Sequence, residues 1–242
     1  MKLTVFGNNA TYPMADGACS CYLLETAADK ILMDMGNGSM AKLQRKIDLS
    51  SLDIIIISHL HFDHMADLFC AKYQLETRRA KGEKIDPVIL IAPMLPDWAR
   101  EELLNNNVFR YIEISDGMVY PLGKGRIIFT KVVHLIESYA VRVEEDDKVF
   151  VYSGDTGLCP EIQTAAQNAD LFLCEATMTE SENIGFGHHL SAKSAAVIAH
   201  KAKVKKLLLT HLPTDHKDRV LEEAVLHFQD TEVSEILGEY AF

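Results

Sequence analysis

The 242 residues carry 24 basic and 35 acidic side chains, a formal net charge of -11. That balance disfavours broad, non-specific binding to extended nucleic acid or to an anionic membrane surface. Hydrophobic residues make up 48% of the chain, enough for a sizeable core, and no stretch approaches the ~20 apolar residues of a membrane span.

The first residues, Met1–Gly7, read as a strand rather than a signal peptide, because a long apolar region and a small-residue cleavage site are missing. Ala18–Glu25 is the expected partner strand, followed by Lys30–Asp34. Ser39 reads as the N-cap of a helix to about Ile47. The run Leu52–Ile57 is short, β-branched and apolar, the pattern of a buried strand. A helix is expected over Met65–Lys81, stopping at Gly82, then a strand over Val88–Ala92 and a helix over Pro96–Asn105. Strands follow at Val119–Leu122 and Arg126–Val133, and a hairpin at Tyr139–Glu144 and Val149–Ser153. The last third alternates helices (Pro160–Gln167, Ser191–Ala202, Lys217–Phe228) with strands (Asp170–Cys174, Lys206–Thr210, Glu232–Leu237). No Pro/Gly/Ser-rich linker and no short-period repeat interrupts this, so residues 1–242 are expected to form one domain. The cysteines, Cys19, Cys21, Cys70, Cys159 and Cys174, are odd in number and scattered, which suits a reducing cytoplasm. Cys19 and Cys21 lack a nearby third or fourth ligand, which disfavours a further metal there.

Chemistry concentrates in Ser58-His59-Leu60-His61-Phe62-Asp63-His64. Neutral imidazoles and carboxylates are the usual ligands of zinc and similar ions. One ion rarely takes four such groups from so short a stretch, but two neighbouring ions can share them and clamp both oxygens of a hydrolysis. The stretch follows a core strand, so it is expected on a loop at that strand's carboxyl end, where α/β sheets carry ligands. The alternative, a solvated His-rich turn, demands a rare coincidence of residue types. Three later strands end the same way: Ile127–Val133 at His134, Val149–Ser153 at Gly154-Asp155-Thr156, and Leu207–Thr210 at His211. Asp34, also at a strand end, is placed to orient a ligating histidine from behind.

These motifs, in this order, resemble the metallo-β-lactamase superfamily. The resemblance implies an α/β (α+β) fold, a four-layer αββα sandwich of two similar halves with the metals at the edge between the sheets. Carried over, it assigns His59, His61 and His134 to one metal, Asp63, His64 and His211 to a second, and Asp155 to a bridge between them. Zinc is the default ion, and manganese also suits mixed His and carboxylate sites. An Asp at the bridge resembles the phosphodiesterase and thioesterase branches, whereas the lactamases proper typically have a Cys ligand.

A closer likeness lies in Asp170-Leu171-Phe172-Leu173-Cys174-Glu175-Ala176-Thr177, followed by Gly187-His188-His189-Leu190-Ser191. It is similar to the ribonuclease Z-like branch and its small phosphodiesterases, where a Glu and a His act as a pair outside the metal ligands. Glu175 would then orient His189, and His189 would assist departure of the leaving oxygen, a service worth about 10²–10⁴-fold. Asp63, His189 and Glu175 are accordingly the catalytic candidates. The long arm with which a ribonuclease Z grips tRNA is missing between His134 and Asp155, and so is the family's Arg-Tyr after His211.

The resulting expectation is a dinuclear metal-dependent phosphodiesterase. Its substrate is a small or cyclic phosphodiester, attacked by a metal-bridging hydroxide. The sequence does not fix the oligomeric state; a homodimer is one state left open, since related enzymes are often dimers. Alternatives are hydrolysis of a thioester, lactone or lactam, and tRNA 3′-processing. A non-catalytic binding protein is disfavoured because all the ligand candidates are present. The loop Thr177–Gly187, with Phe186, is a candidate cover for the site.

Overall fold

The computed structural model describes residues 1–183, 185, 187–213 and 217–242. The first half runs β1 (Lys2–Gly7), β2 (Cys21–Glu25), β3 (Lys30–Met33), α1 (Ser39–Leu43), β4 (Ile54–Ile56), α2 (Phe62–Ala80), β5 (Val88–Ala92), α3 (Asp97–Leu104) and β6 (Phe109–Glu113). The second runs β7 (Val119–Pro121), β8 (Gly125–Val132), β9 (Ser138–Glu145), β10 (Lys148–Tyr152), α4 (Pro160–Ala165), β11 (Leu171–Glu175), α5 (Ala192–Lys201), β12 (Lys206–Thr210), α6 (Lys217–Val225), β13 (Thr231–Val233) and β14 (Glu239–Ala241).

Among the described residues these strands make two seven-stranded sheets, ordered β14-β1-β2-β3-β4-β5-β6 and β7-β8-β9-β10-β11-β12-β13. The two repeat one pattern. β1, β2 and β3 pair antiparallel and β3 to β6 pair parallel; β8, β9 and β10 pair antiparallel and β10 to β13 pair parallel. The chain's last strand, β14, closes the first sheet beside β1, where β7 stands beside β8 in the second. The expected αββα layering in two similar halves is therefore observed.

Alternation along the strands sorts side chains between layers. Ile54 and Ile56 face the core between the sheets, with Phe129, Phe150, Tyr22 and Tyr152, while Ile55 and Ile57 pack under the first half's helices with Leu68 and Leu75 of α2. In the second half Phe172 and Cys174 pack under the helices with Ala195, Ala196 and Ala199 of α5. The small alanines let that helix lie close to its sheet.

Four expectations need correction. Ser39 is not the cap of α1; Gly38 is, at φ 81, a left-handed conformation that glycine adopts without a Cβ penalty, and the helix ends at Leu43. α2 begins at Phe62 rather than Met65, because His61 takes the extended N-cap conformation, and Asp63 lies in the first turn. Asp63 and His64 thus ride on a helix, not on a loop. β6 lies outside the expected strands: its Arg110 and Glu113 are exposed at a sheet edge, so a continuous apolar run is missing. β14 is three residues long and takes its identity from pairing with β1. No helix among the described residues is long and apolar enough to cross a membrane.

Phe129 is fully buried between the sheets, whereas Leu226 is 80% exposed. Phe129→Ala should lower unfolding free energy by about 3–5 kcal/mol and Leu226→Ala by under about 0.5 kcal/mol, as read by urea denaturation of metal-free protein. Equal effects would contradict this layering.

Candidate metal centre and active site

The carboxyl ends of β4, β8, β10 and β12 open at one edge of the sandwich, and each delivers part of a single cluster. His59 and His61 follow β4, with Asp63 and His64 on the first turn of α2. That turn is held against the β3 exit by Met35 N–H donating to His64 O (2.7 Å) and Asp67 N–H donating to Met35 O (3.0 Å). Gly36 permits the close approach: a Cβ there would fall 1.9 Å from Asp63 O. His134 follows β8 after one residue, Asp155 follows β10 after two, and His211 directly follows β12. His211 (φ 49) and Asp34 (φ 57) both turn the chain in the left-handed region, strain of the kind found at functional sites.

All the candidate ligands converge. His59, His61, His134 and Asp155 place their donor atoms within 4.8 Å of one another, and so do Asp63, His64, Asp155 and His211. Asp155 belongs to both groups. Its Oδ1 lies 3.3 Å from His64 Nε2, and its Oδ2 lies 3.3 Å from His211 Nε2 and 3.7 Å from His59 Nε2. His61 Nδ1 lies 3.0 Å from His59 Nε2 and 3.2 Å from His134 Nε2. Asp63 Oδ2 lies 3.2 Å from His211 Nε2.

Four of these rings are held from behind by their Nδ1 atoms. His64 Nδ1–H donates to Asp34 Oδ2 (2.7 Å) and His134 Nδ1–H to the His188 carbonyl (2.8 Å). His59 Nδ1 meets Ser58 Oγ (3.1 Å) and His211 Nδ1 meets Thr177 Oγ1 (2.9 Å). A proton kept on Nδ1 leaves the Nε2 lone pair pointing inward, the tautomer a metal requires. Asp34 carries a heavy share of this support. It accepts from Ser58 N–H (2.7 Å), Ser58 Oγ (2.8 Å) and the Tyr152 hydroxyl (2.7 Å) besides His64. Sequence reasoning misses the roles of Ser58, Thr177, Tyr152 and the His188 carbonyl; the only signal, for Ser58 and His188, is nearness in the chain to His59 and His189.

The donor set fits divalent ions. His64 Nε2 and Asp155 Oδ1 are fully buried with no hydrogen-bond partner among the described residues, a costly state that a shared cation relieves. Electrostatics agree. Burial depresses His59, His61 and His134, keeping those imidazoles neutral. Burial works against the Asp155 carboxylate, but His211 and His64 beside it outweigh that cost and hold its pKa well below the usual range. At His64 burial is outweighed by Asp155 and Asp34, which raise its pKa: the pocket between these carboxylates attracts positive charge. Burial pushes the Cys19 thiol up to about 12 and raises Cys21 as well, and neither joins the cluster.

Beside the cluster Glu175 and His189 lie in hydrogen-bond contact. His189 Nδ1 lies 3.0 Å from Glu175 Oε1 and 3.9 Å from Asp155 Oδ2. Glu175 is fully buried and accepts from Thr156 N–H at 2.7 Å, the residue next to Asp155. Burial lowers the His189 pKa, but the charge and hydrogen bond of Glu175 and the charge of Asp155 outweigh it and leave it raised to about 9. Of the two adjacent histidines, His189 faces Glu175, while His188 supplies its carbonyl to His134. The loop expected as a cover is tied down at its start, where Ala192 N–H donates to Met178 O (2.9 Å); Phe186 lies outside the described residues.

Residues 29–212 match the Beta-lactamase superfamily domain. The chain belongs to the metallo-β-lactamase superfamily. It is 32% identical to the uncharacterized protein ML1173 of Mycobacterium leprae, over 99% of this chain and 87% of that one. It is 27% identical to the probable metallo-hydrolase YhfI of Bacillus subtilis, over 88% of this chain and 87% of that one. The crystal structure of YhfI superposes with a TM-score of 0.91 at 24% identity, covering 99% of both chains. Ribonuclease Z of Archaeoglobus fulgidus is 24% identical over 97% of this chain and 95% of its own. Within the superfamily these likenesses put the chain in the ribonuclease Z-like branch, a metallo-hydrolase of this fold.

Because Asp155 belongs to both donor groups, Asp155→Ala should lower the metal bound per chain, as read by elemental analysis, by more than the loss of one group's ion. Two ions retained in a folded Asp155→Ala protein would remove Asp155 as the bridge.

Proposed function

We propose that the protein is a dinuclear metal-dependent phosphodiesterase acting on small or cyclic phosphodiesters. His59, His61 and His134 would hold one ion, Asp63, His64 and His211 the other, with Asp155 between them; zinc is the default and manganese the alternative. When bound, the two ions would supply Lewis-acid charge and an activated water. Residues 1–242 act as one domain in this reading, with the reaction at the edge between its sheets.

The observation that carries the reading is the Glu175–His189 pair beside Asp155, at 3.0 and 3.9 Å from His189 Nδ1. Glu175 keeps a proton on His189 Nδ1, and with the ring's pKa raised to about 9 a second proton resides on Nε2 at neutral pH. That proton suits an alkoxide leaving group, which departs poorly without one. A thiolate or a strained lactone has less need of it, so the pair favours phosphodiesters over acyl substrates. Asp63, whose side chain is 10% exposed, is the carboxylate placed to take up a proton on the open side.

Extended RNA fits less well. The chain carries a net charge of -11. The alignment with the Archaeoglobus ribonuclease spans 293 positions against 242 residues here, so that enzyme has insertions this chain lacks. The five free cysteines, four of them buried, suit the cytoplasm. A homodimer belongs to the same reading, supported by Phe62, Tyr73, Met94 and Trp98, exposed on and beside α2 and α3. Sedimentation equilibrium tests it: only a 27.1 kDa species would remove the dimer.

Metal-loaded protein should hydrolyse bis-p-nitrophenyl phosphate, and His189→Ala should lose about 10²–10⁴-fold of its rate on alkoxide-leaving diesters while keeping both metals. Turnover of a thioester or lactone, with every diester inert, would replace this substrate class by an acyl one.

A further inference from the structure

Thr177, just beyond β11, takes part in neither the ligand set nor the acid–base pair, yet its hydroxyl touches both. Thr177 Oγ1 lies 2.7 Å from Glu175 Oε2, 2.9 Å from His211 Nδ1 and 3.4 Å from His189 Nδ1. A hydroxyl has one proton to give. An ionised Glu175 only accepts, so that proton goes to Oε2. The hydroxyl oxygen is then left to accept, and its near neighbour at 2.9 Å is His211 Nδ1, which must carry the hydrogen. His211 Nε2 is thereby left as a lone pair toward Asp63 and Asp155, 3.2 and 3.3 Å away.

The first half uses the same device. Ser58 Oγ donates to Asp34 Oδ2 (2.8 Å) and faces His59 Nδ1 (3.1 Å), so a hydroxyl again relays a buried carboxylate to a ligand's outer nitrogen. The two differ in what else the carboxylate does. Asp34 also holds His64, a ligand candidate, and the buried Tyr152 hydroxyl. Glu175 also holds His189, whose ring stacks on that of His211 with centroids 5.5 Å apart and 17° between planes.

We propose that the Thr177 hydroxyl is a positioning group shared by both parts of the machinery: it sets the His211 tautomer that faces the metal centre and, through Glu175, holds His189 toward the leaving oxygen. The link to the leaving oxygen rests on the phosphodiesterase reading; the link to His211 does not. A consequence is coupling, since metal occupancy at His211 and the placement of His189 depend on one hydrogen-bonded chain, His211–Thr177–Glu175–His189.

Thr177→Val keeps the shape and removes the hydroxyl; Thr177→Ser keeps the hydroxyl. Zinc affinity, read by competition with a chromophoric chelator, should fall about 10–100-fold in Thr177→Val and recover most of that loss in Thr177→Ser. Turnover of a 3′,5′-cyclic nucleotide, whose leaving group is an alkoxide, should fall further than turnover of bis-p-nitrophenyl phosphate, assayed at saturating zinc. Unchanged affinity in Thr177→Val, equal losses in the Val and Ser variants, or lost affinity with no leaving-group dependence would each overturn the proposal. Should Thr177→Val not fold, nitrogen NMR of metal-free wild type decides: His211 protonated on Nδ1 supports the proposal, and protonation on Nε2 overturns it. If wild type cleaves no diester, the phosphodiesterase reading fails by itself, and the affinity and NMR results still decide the His211 link.

Discussion

Asp34 is the junction on which the site depends. Its carboxylate is fully buried, and it accepts from the backbone and hydroxyl of Ser58, from His64 Nδ1 and from the Tyr152 hydroxyl. A buried carboxylate is expensive unless its lone pairs are taken up, and here four donors do so. Those donors come from just beyond β4, the first turn of α2 and the end of β10, so one side chain ties together two strands of different sheets and a helix. The left-handed backbone at Asp34 is the strain that lets a strand end turn its carboxylate back into this junction.

The repeated topology explains why the cluster lies where it does. In each sheet three antiparallel pairings lead into three parallel ones, so the carboxyl ends of the parallel strands gather at one rim. Stacking the sheets through Ile54, Ile56, Phe129 and Phe150 brings the two rims together. His59, His61, Asp63 and His64 come from the first half and His134, Asp155 and His211 from the second. Neither half holds a full ligand set, and Asp155 contacts histidines from both.

Glu175 does in the second half what Asp34 does in the first, with a different outcome. Both accept from a backbone N–H and a hydroxyl, and both hold a histidine. His64, held by Asp34, points into the centre. His189, held by Glu175, stands beside it. One arrangement of carboxylate, hydroxyl and imidazole thus turns an imidazole into the donor cluster in one half and sets one beside it in the other. The difference lies in whether Asp155 stands opposite Nε2 at 3.3 Å, as at His64, or beside Nδ1 at 3.9 Å, as at His189.

The amino-acid sequence by itself determined the inventory of the site. His59, His61, Asp63 and His64 are legible because they are compressed into one short stretch, and His134, Asp155 and His211 because each follows a run that reads as a strand. Glu175 and His189 are legible through resemblance. The buried strands are legible too, since short β-branched apolar runs such as Ile54–Ile57 are too brief for a helix and pack well on a pleated surface. Edge strands β6 and β14 are not, because a strand exposed on one side or only three residues long gains its identity from its neighbour. Tertiary structure alone decided which nitrogen of each histidine faces inward. That choice depends on Nδ1 partners such as Asp34 for His64, Thr177 for His211 and the His188 carbonyl for His134, drawn from residues 30, 34 and 54 positions away. Serines, threonines and carbonyls are too common for such a role to be read locally; it is the folding of two sheets onto each other that brings each to its imidazole.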